Sequence, residues 1–182
     1  PDASFVLAHP TPHLLIQNFE LRGANHWAVG LFLAPNDNIT FRNVAVSQYR
    51  ANGFSFTVTG DPYIGPNSGI RILDCTIDKS WTPAMNLEYR HPVVTPSGAD
   101  TIWNGANGAE PGGMGILFDG AVVDAVVRGC LVTNQGHTGI GTVYNDATLA
   151  SAVRNIVVEK NTVTAGASSY CRAIGVSRSS NV

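Results

Sequence analysis

Residues Asp37 to Val58 read DNITFRNVAVSQYRANGFSFTV, and three short alternating runs lie within them. Ile39 and Phe41 form the first, Val44 and Val46 the second, Phe54 and Phe56 the third. Apolar residues at i and i+2 are the period of a strand with one buried face. Asn43 separates the first two runs, and Tyr49–Gly53 separates the last two. Three strands in so short a stretch leave no room for a helix.

The unit recurs. Its bend residue Asn43 aligns with Asn18, Asp74, Gly129 and Lys160. All but Lys160 are types that enter left-handed backbone geometry easily. The inward position after the bend reads Phe19, Val44, Cys75, Cys130, Asn161, and the next reads Leu21, Val46, Ile77, Val132, Val163. The third strand is expected at Leu31/Leu33, Phe54/Phe56, Ile116/Phe118, Ile140/Thr142 and Ile174/Val176. A small residue precedes each of these: Gly30, Gly53, Gly115, Gly139, Ala173. Phe5 and Leu7 match Phe54 and Phe56, so an earlier third strand opens the chain. The strands are constant and the loops between them vary, which marks a repeat architecture.

Stacked three-strand coils with one tight bend resemble the right-handed parallel β-helix of the pectate-lyase-like superfamily. The resemblance covers nearly the whole chain and lies in the coil pattern, not in a catalytic signature. It implies an all-β fold, a right-handed single-stranded parallel β-helix (solenoid) of about five coils. Residues 1–182 form one domain, with a long loop insertion at 78–114. The chain starts and stops inside a coil, so it is expected to be a portion of a longer protein, truncated at both ends. Bare coil ends expose apolar rungs and strand edges. A homo-oligomer or flanking domains are expected to cover them.

Charged residues make up only 13% of the 182 residues, and the net charge is −2 without a basic cluster, which argues against nucleic acid. No run of 18 apolar residues exists, so no membrane-inserted helix is expected. The resemblance implies a secreted or cell-surface location. Cys75 and Cys130 hold equivalent inward positions on neighbouring coils, about 4.8 Å apart by strand spacing. That separation permits a disulfide, but parallel stacked side chains favour free thiols. Cys171 has no evident partner. No Cys-x-x-Cys or His-x-His spacing points to a metal, and no motif names a cofactor.

Rungs face inward, so chemistry belongs to outward residues and loops. In the superfamily the outer face of the third strand usually forms the glycan groove. Here that face reads Val6, Phe32, Ser55, Leu117, Gly141, Gly175, then Ala8, Ala34, Thr57, Asp119, Val143, Ser177. The Asp78–Met114 loop carries Trp81, Glu88, Tyr89, Arg90, His91, Asp100, Trp103 and Glu110. Loops this long inside a compact repeat are usually functional. Trp81 and Trp103 offer flat faces to sugar rings, while Glu88, Arg90 and Arg172 address hydroxyls and acidic groups. The tryptophans can equally serve to pack the loop.

Asp119 is the candidate acid or nucleophile, His137 the acid–base or orienting group, and Asp78 a second carboxylate. Glycosidases need two carboxyl groups about 5 to 9.5 Å apart. Gly136-His137-Thr138-Gly139 is similar to the Gly-His-Gly of polygalacturonase-type hydrolases, but their Asn-Thr-Asp and Asp-Asp motifs are missing. A lyase would use Arg90, Arg172 or Lys79 to neutralise a uronate, and the calcium-binding Asp cluster of pectate lyases is absent. The expectation is a polysaccharide-binding and polysaccharide-cleaving protein, of hydrolase or lyase type. The competing class is a non-catalytic shaft or adhesive module; sugar epimerisation uses the same scaffold.

Overall fold

The computed structural model describes residues 3–7, 12–23, 27–31, 36–49, 52–57, 66–79, 114–119, 122–135, 138–143, 153–165 and 172–176. Among these the fold is all-β, and every strand pairing is parallel. Six strands form one sheet: β1 (Ala3–Leu7), β3 (Trp27–Leu31), β5 (Phe54–Thr57), β9 (Met114–Asp119), β12 (Thr138–Val143) and β15 (Arg172–Val176), adjacent in that order. The other nine are β2 (Pro12–Arg22), β4 (Asp37–Ser47), β6 (Asn67–Ser68), β7 (Arg71–Leu73), β8 (Thr76–Asp78), β10 (Val122–Arg128), β11 (Leu131–Gln135), β13 (Arg154–Glu159) and β14 (Thr162–Ala165). β6 and β7 lie end to end between β4 and β10, and β8 lies between β4 and β11.

Bends with positive φ organise the larger sheet. They fall five residues apart within a repeat: His13 and Asn18; Asn38, Asn43 and Gln48; Asp124 and Asn134 around Gly129; Asn155 and Lys160; Gly69 and Asp74. Register places His13, Asn38, Gly69, Asp124 and Asn155 in one column, and Asn18, Asn43, Asp74, Gly129 and Lys160 in a second. The expected bend column is therefore present, and a parallel one precedes it. The first and third residues after each bend point inward, which buries Ile39 and Phe41, Val44 and Val46, Cys75 and Ile77, Cys130 and Val132. Outside, the bends stack as a polar ladder, Asn43 Nδ2 donating to Asn18 Oδ1 at 3.0 Å and Asn155 Nδ2 to Asp124 Oδ1 at 2.9 Å.

Stacking follows the expected equivalences with one correction. Phe54 pairs with Ile116, Ile116 with Ile140, and Ile140 with Ile174. Below Phe54 and Phe56, however, stand Val29 and Leu31, not Leu31 and Leu33. Ala28, whose N–H donates to the Asn52 carbonyl, fills the small-residue position. Gly30 stands in the outward column level with Ser55, where its size imitates the corner residue. Phe32 and Leu33 lie outside the described residues.

The core is continuous between the sheets. Phe56 stacks on Phe118 with ring centroids 5.2 Å apart, and Phe41 meets Phe54 edge-on at 5.1 Å. Such pairs add roughly 0.5–1.5 kcal/mol each beyond their burial. Cys75 and Cys130 are buried free thiols, as expected. The Cys130 thiol is pushed up, first by its hydrogen bond with Cys75 and then by burial. Cys171 lies outside the described residues.

Candidate functional site

The two described ends of the 78–114 insertion meet the stack at one buried corner. Gly53, Gly115 and Gly139 line it because the sheets approach too closely for a side chain. A Cβ on Gly53 would stand 2.6 Å from the Gly115 carbonyl oxygen and 2.7 Å from Ile77 Cγ2. Tyr49 fills the space beside them, fully buried, its hydroxyl donating to Gln135 Oε1 at 2.8 Å. Gln135 Nε2 in turn donates to the Thr133 carbonyl. Lys79 is buried too, its ammonium 5.8 Å from the centre of the Tyr49 ring and its N–H on the Thr133 carbonyl. On the far side of the insertion, the Met114 N–H donates to Asn52 Oδ1 at 2.9 Å, and the Met114 carbonyl accepts from Gly53 N–H.

This corner is a clamp, not a proton-transfer centre. Burial chiefly pushes the Tyr49 phenol far above its ordinary value; the Asp78 charge adds to the rise, and the Gln135 hydrogen bond opposes it. A phenol so placed keeps its proton and serves as a donor. Lys79, expected as a neutraliser of uronate, is instead buried against an aromatic ring.

The candidate residues fall in three places. Asp119 ends β9 in the six-stranded sheet, level with Thr57 and Val143. Asp78 ends β8 in the other sheet, level with Ser47 and Thr133, and its Oδ1 accepts from Asn134 Nδ2 at 2.7 Å. Arg172 opens β15, exposed and level with Thr138, which is level with Met114. Trp81, Glu88, Arg90, Trp103 and His137 lie outside the described residues.

Register sets Arg172 and Asp119 apart. Parallel strands run in step, so Met114, Thr138 and Arg172 mark the leading edge of the sheet and Asp119 the trailing edge. Five residue steps separate the two edges, roughly 16 Å at 3.3 Å per residue. Arg172 and Asp119 therefore stand at opposite edges of the sheet. Thr138 also stands at the leading edge.

The outer face of the six-stranded sheet is not open at its middle either. Ser55 and Leu117 are only 1% and 9% exposed. Among the described residues no group of three His, Cys, Asp or Glu side chains is placed to hold a metal. Tyr49, Gln135 and Asn52 were missed in the sequence. The signal for two of them was the five-residue spacing, since Tyr49 follows the bend at Gln48 and Gln135 follows that at Asn134. No protein-family model matches the chain, and no curated protein or solved structure matches it either.

Proposed function

We propose that the chain is a right-handed single-stranded parallel β-helix that uses the 78–114 insertion to bind a polysaccharide. One observation carries this: Lys79 and Met114, at the two ends of the insertion, are both tied into the same buried corner. A binding loop gains affinity when its ends are held rigidly, because less freedom is lost on contact. Unbroken parallel register from β1 to β15 supports the β-helix, and parallel crossovers are almost always right-handed. Trp81 and Trp103 act as sugar platforms, with Glu88 and Arg90 addressing hydroxyl and acidic groups. A polysaccharide partner puts the working location outside the cell or on its surface.

Cleavage is the second half of the proposal, with Asp119 as acid or nucleophile and a loop carboxylate such as Glu88 as its partner. Asp78 and Arg172 are not assigned to that step, given their places in the sheets. The competing role is a stiff, non-catalytic shaft, favoured by the regular ladders of Asn18, Asn43, Asp124 and Asn155.

Affinity electrophoresis through gels containing neutral or acidic polysaccharides tests the binding. Replacing residues 80–113 by a short Gly-Ser linker should abolish retardation while leaving the melting temperature nearly unchanged. Retardation that survives the replacement, or none with the intact chain on any glycan class, overturns the reading in favour of the shaft. Release of reducing or unsaturated ends by the intact chain, lost in Asp119→Asn, tests cleavage.

A further inference from the structure

We propose that Cys75 and Cys130 form a buried two-thiolate site for a soft monovalent cation, Cu(I), held in line between the two sulfurs. Register places the pair. Leu73 is level with Arg128 and Thr76 with Leu131, so Cys75 and Cys130 are level on neighbouring strands. Each follows a bend of positive φ, at Asp74 (φ 53°) and Gly129 (φ 69°), and each turns inward. Both are 1% exposed and unbonded. Strands β4 and β14 pair on the two outer sides of β8 and β11, so the thiols lie in the interior of the stack.

The two thiols are disposed alike. Cys75 Sγ lies 3.2 Å from the Leu73 carbonyl oxygen and 3.7 Å from that of Phe41. Cys130 Sγ lies 3.5 Å from the carbonyl oxygens of Arg128 and Ile72. These partners are equivalent, since Phe41 is level with Ile72 and Leu73 with Arg128. The sulfurs therefore repeat at the strand spacing, about 4.8 Å. Cβ atoms stacked in the same way are as far apart, beyond the roughly 3.5–4.5 Å that a disulfide takes. A metal–thiolate bond is about 2.3 Å long, so two in line span about 4.6 Å. The spacing suits a bridging ion better than a sulfur–sulfur bond.

Donor chemistry selects the ion. Thiolates favour Cu(I), Zn(II) or iron–sulfur clusters. The last two ask for four ligands, whereas Cu(I) accepts two in line. Asn161, the next inward residue of the column, is already engaged: its Oδ1 accepts from the Cys130 N–H at 2.8 Å, and its Nδ2 donates to the Val127 carbonyl at 3.0 Å. Backbone hydrogen bonds from Val44 to the Cys75 sulfur and from Cys75 to the Cys130 sulfur favour the thiolate form. On binding, each thiol releases its proton to solvent and two Cu–S bonds form. No electron is transferred, and the occupied site carries one negative charge. The inference stands apart from the polysaccharide reading, since both thiols lie outside the insertion.

The test uses Cu(I) itself, kept reduced with ascorbate under anaerobic conditions. It is supplied to the folded chain and, separately, during refolding from urea, because the site is closed to solvent. After desalting in the presence of a moderate Cu(I) chelator, one copper per chain should remain. X-ray absorption should show two sulfur neighbours, and the melting temperature should rise by several degrees. Cys75→Ser and Cys130→Ser should each lower the retained copper at least tenfold, and Cys171→Ser should leave it unchanged. Cys75→Ala and Cys130→Ala repeat the measurement with apolar side chains, and circular dichroism checks that each variant folds. Wild-type chain that retains no copper by either route overturns the proposal. So does copper that survives loss of Cys75 or Cys130 in a folded variant, or a wild-type ion with more than two sulfur neighbours.

Discussion

The second repeat (residues 36–57) and the last (residues 153–176) carry the same pattern and meet different fates. In the second, Val46, Phe54 and Phe56 are wholly covered by the coils on either side. In the last, Ile174 and Val176 occupy the same columns and stand half in solvent. Periodicity therefore sets which way a side chain points, and stacked neighbours set how deeply it is buried. The corner shows the contrast again. Gly53, Gly115 and Gly139 each lie beneath the carbonyl of the next coil, while the same position in the last coil holds Ala173, exposed.

The largest test of this contrast is truncation of equivalent residues. Phe56→Ala should cost about 3–5 kcal/mol in urea unfolding, as expected for a large aromatic in a packed core. Val176→Ala should cost well under 1 kcal/mol, as for other exposed sites. Equal losses would mean that the coils share their burial evenly. Next comes the corner, where Gly53→Ala should cost roughly 1–3 kcal/mol through overpacking. Changing Ala173 to Gly should alter stability far less.

Alkaline pH probes the Tyr49 clamp. In the unfolded chain tyrosine ionises near pH 10, whereas buried Tyr49 holds its proton to higher pH. Above about pH 10 the unfolded state binds fewer protons, so this residue makes stability fall with rising pH, by about 1.4 kcal/mol per unit. Below that pH its contribution is fully present. The stability difference between wild type and Tyr49→Phe should be flat to about pH 9 and then decline; a flat line throughout would show an exposed phenol.

The smallest expected effect lies at the second bend column. Gly129 adopts φ 69°, and a Cβ there would strike Asp74 Oδ1. Lys160 adopts φ 55° one coil later, where its side chain is exposed. Lys160→Gly should relieve left-handed strain and stabilise the chain by roughly 0.5–1 kcal/mol. Destabilisation would indicate that the lysine makes a contact worth more than the strain.

Much of this was legible before the structure. Alternation identified the inward residues of four coils, and the bend at Asn43 and its equivalents followed from Asn, Asp and Gly. The first bend column was overlooked because His13 is not a bend type, although Asn38, Gly69, Asp124 and Asn155 are. Gly30 misled the register of the first coil because glycine serves both outward columns and close corners. The candidate site was less legible. Residues that enter and leave equivalent strands look adjacent in sequence order, yet parallel register puts Asp119 and Thr138 at opposite edges. Nothing in a local pattern reports the partners of a buried tyrosine 86 positions from its glutamine.

Parallel pairing in register also makes the chain a molecular ruler. In the proposed β-helix each coil touches mainly the ones before and after it, and each adds one strand spacing, about 4.8 Å, to the length. Asn38 and Gly69 are level across neighbouring coils, so duplicating residues 38–68 would insert one complete increment without changing any facing pair elsewhere. The first coil would then sit one step further from the insertion. Length in such a stack is set in whole steps, one strand spacing for each unit copied.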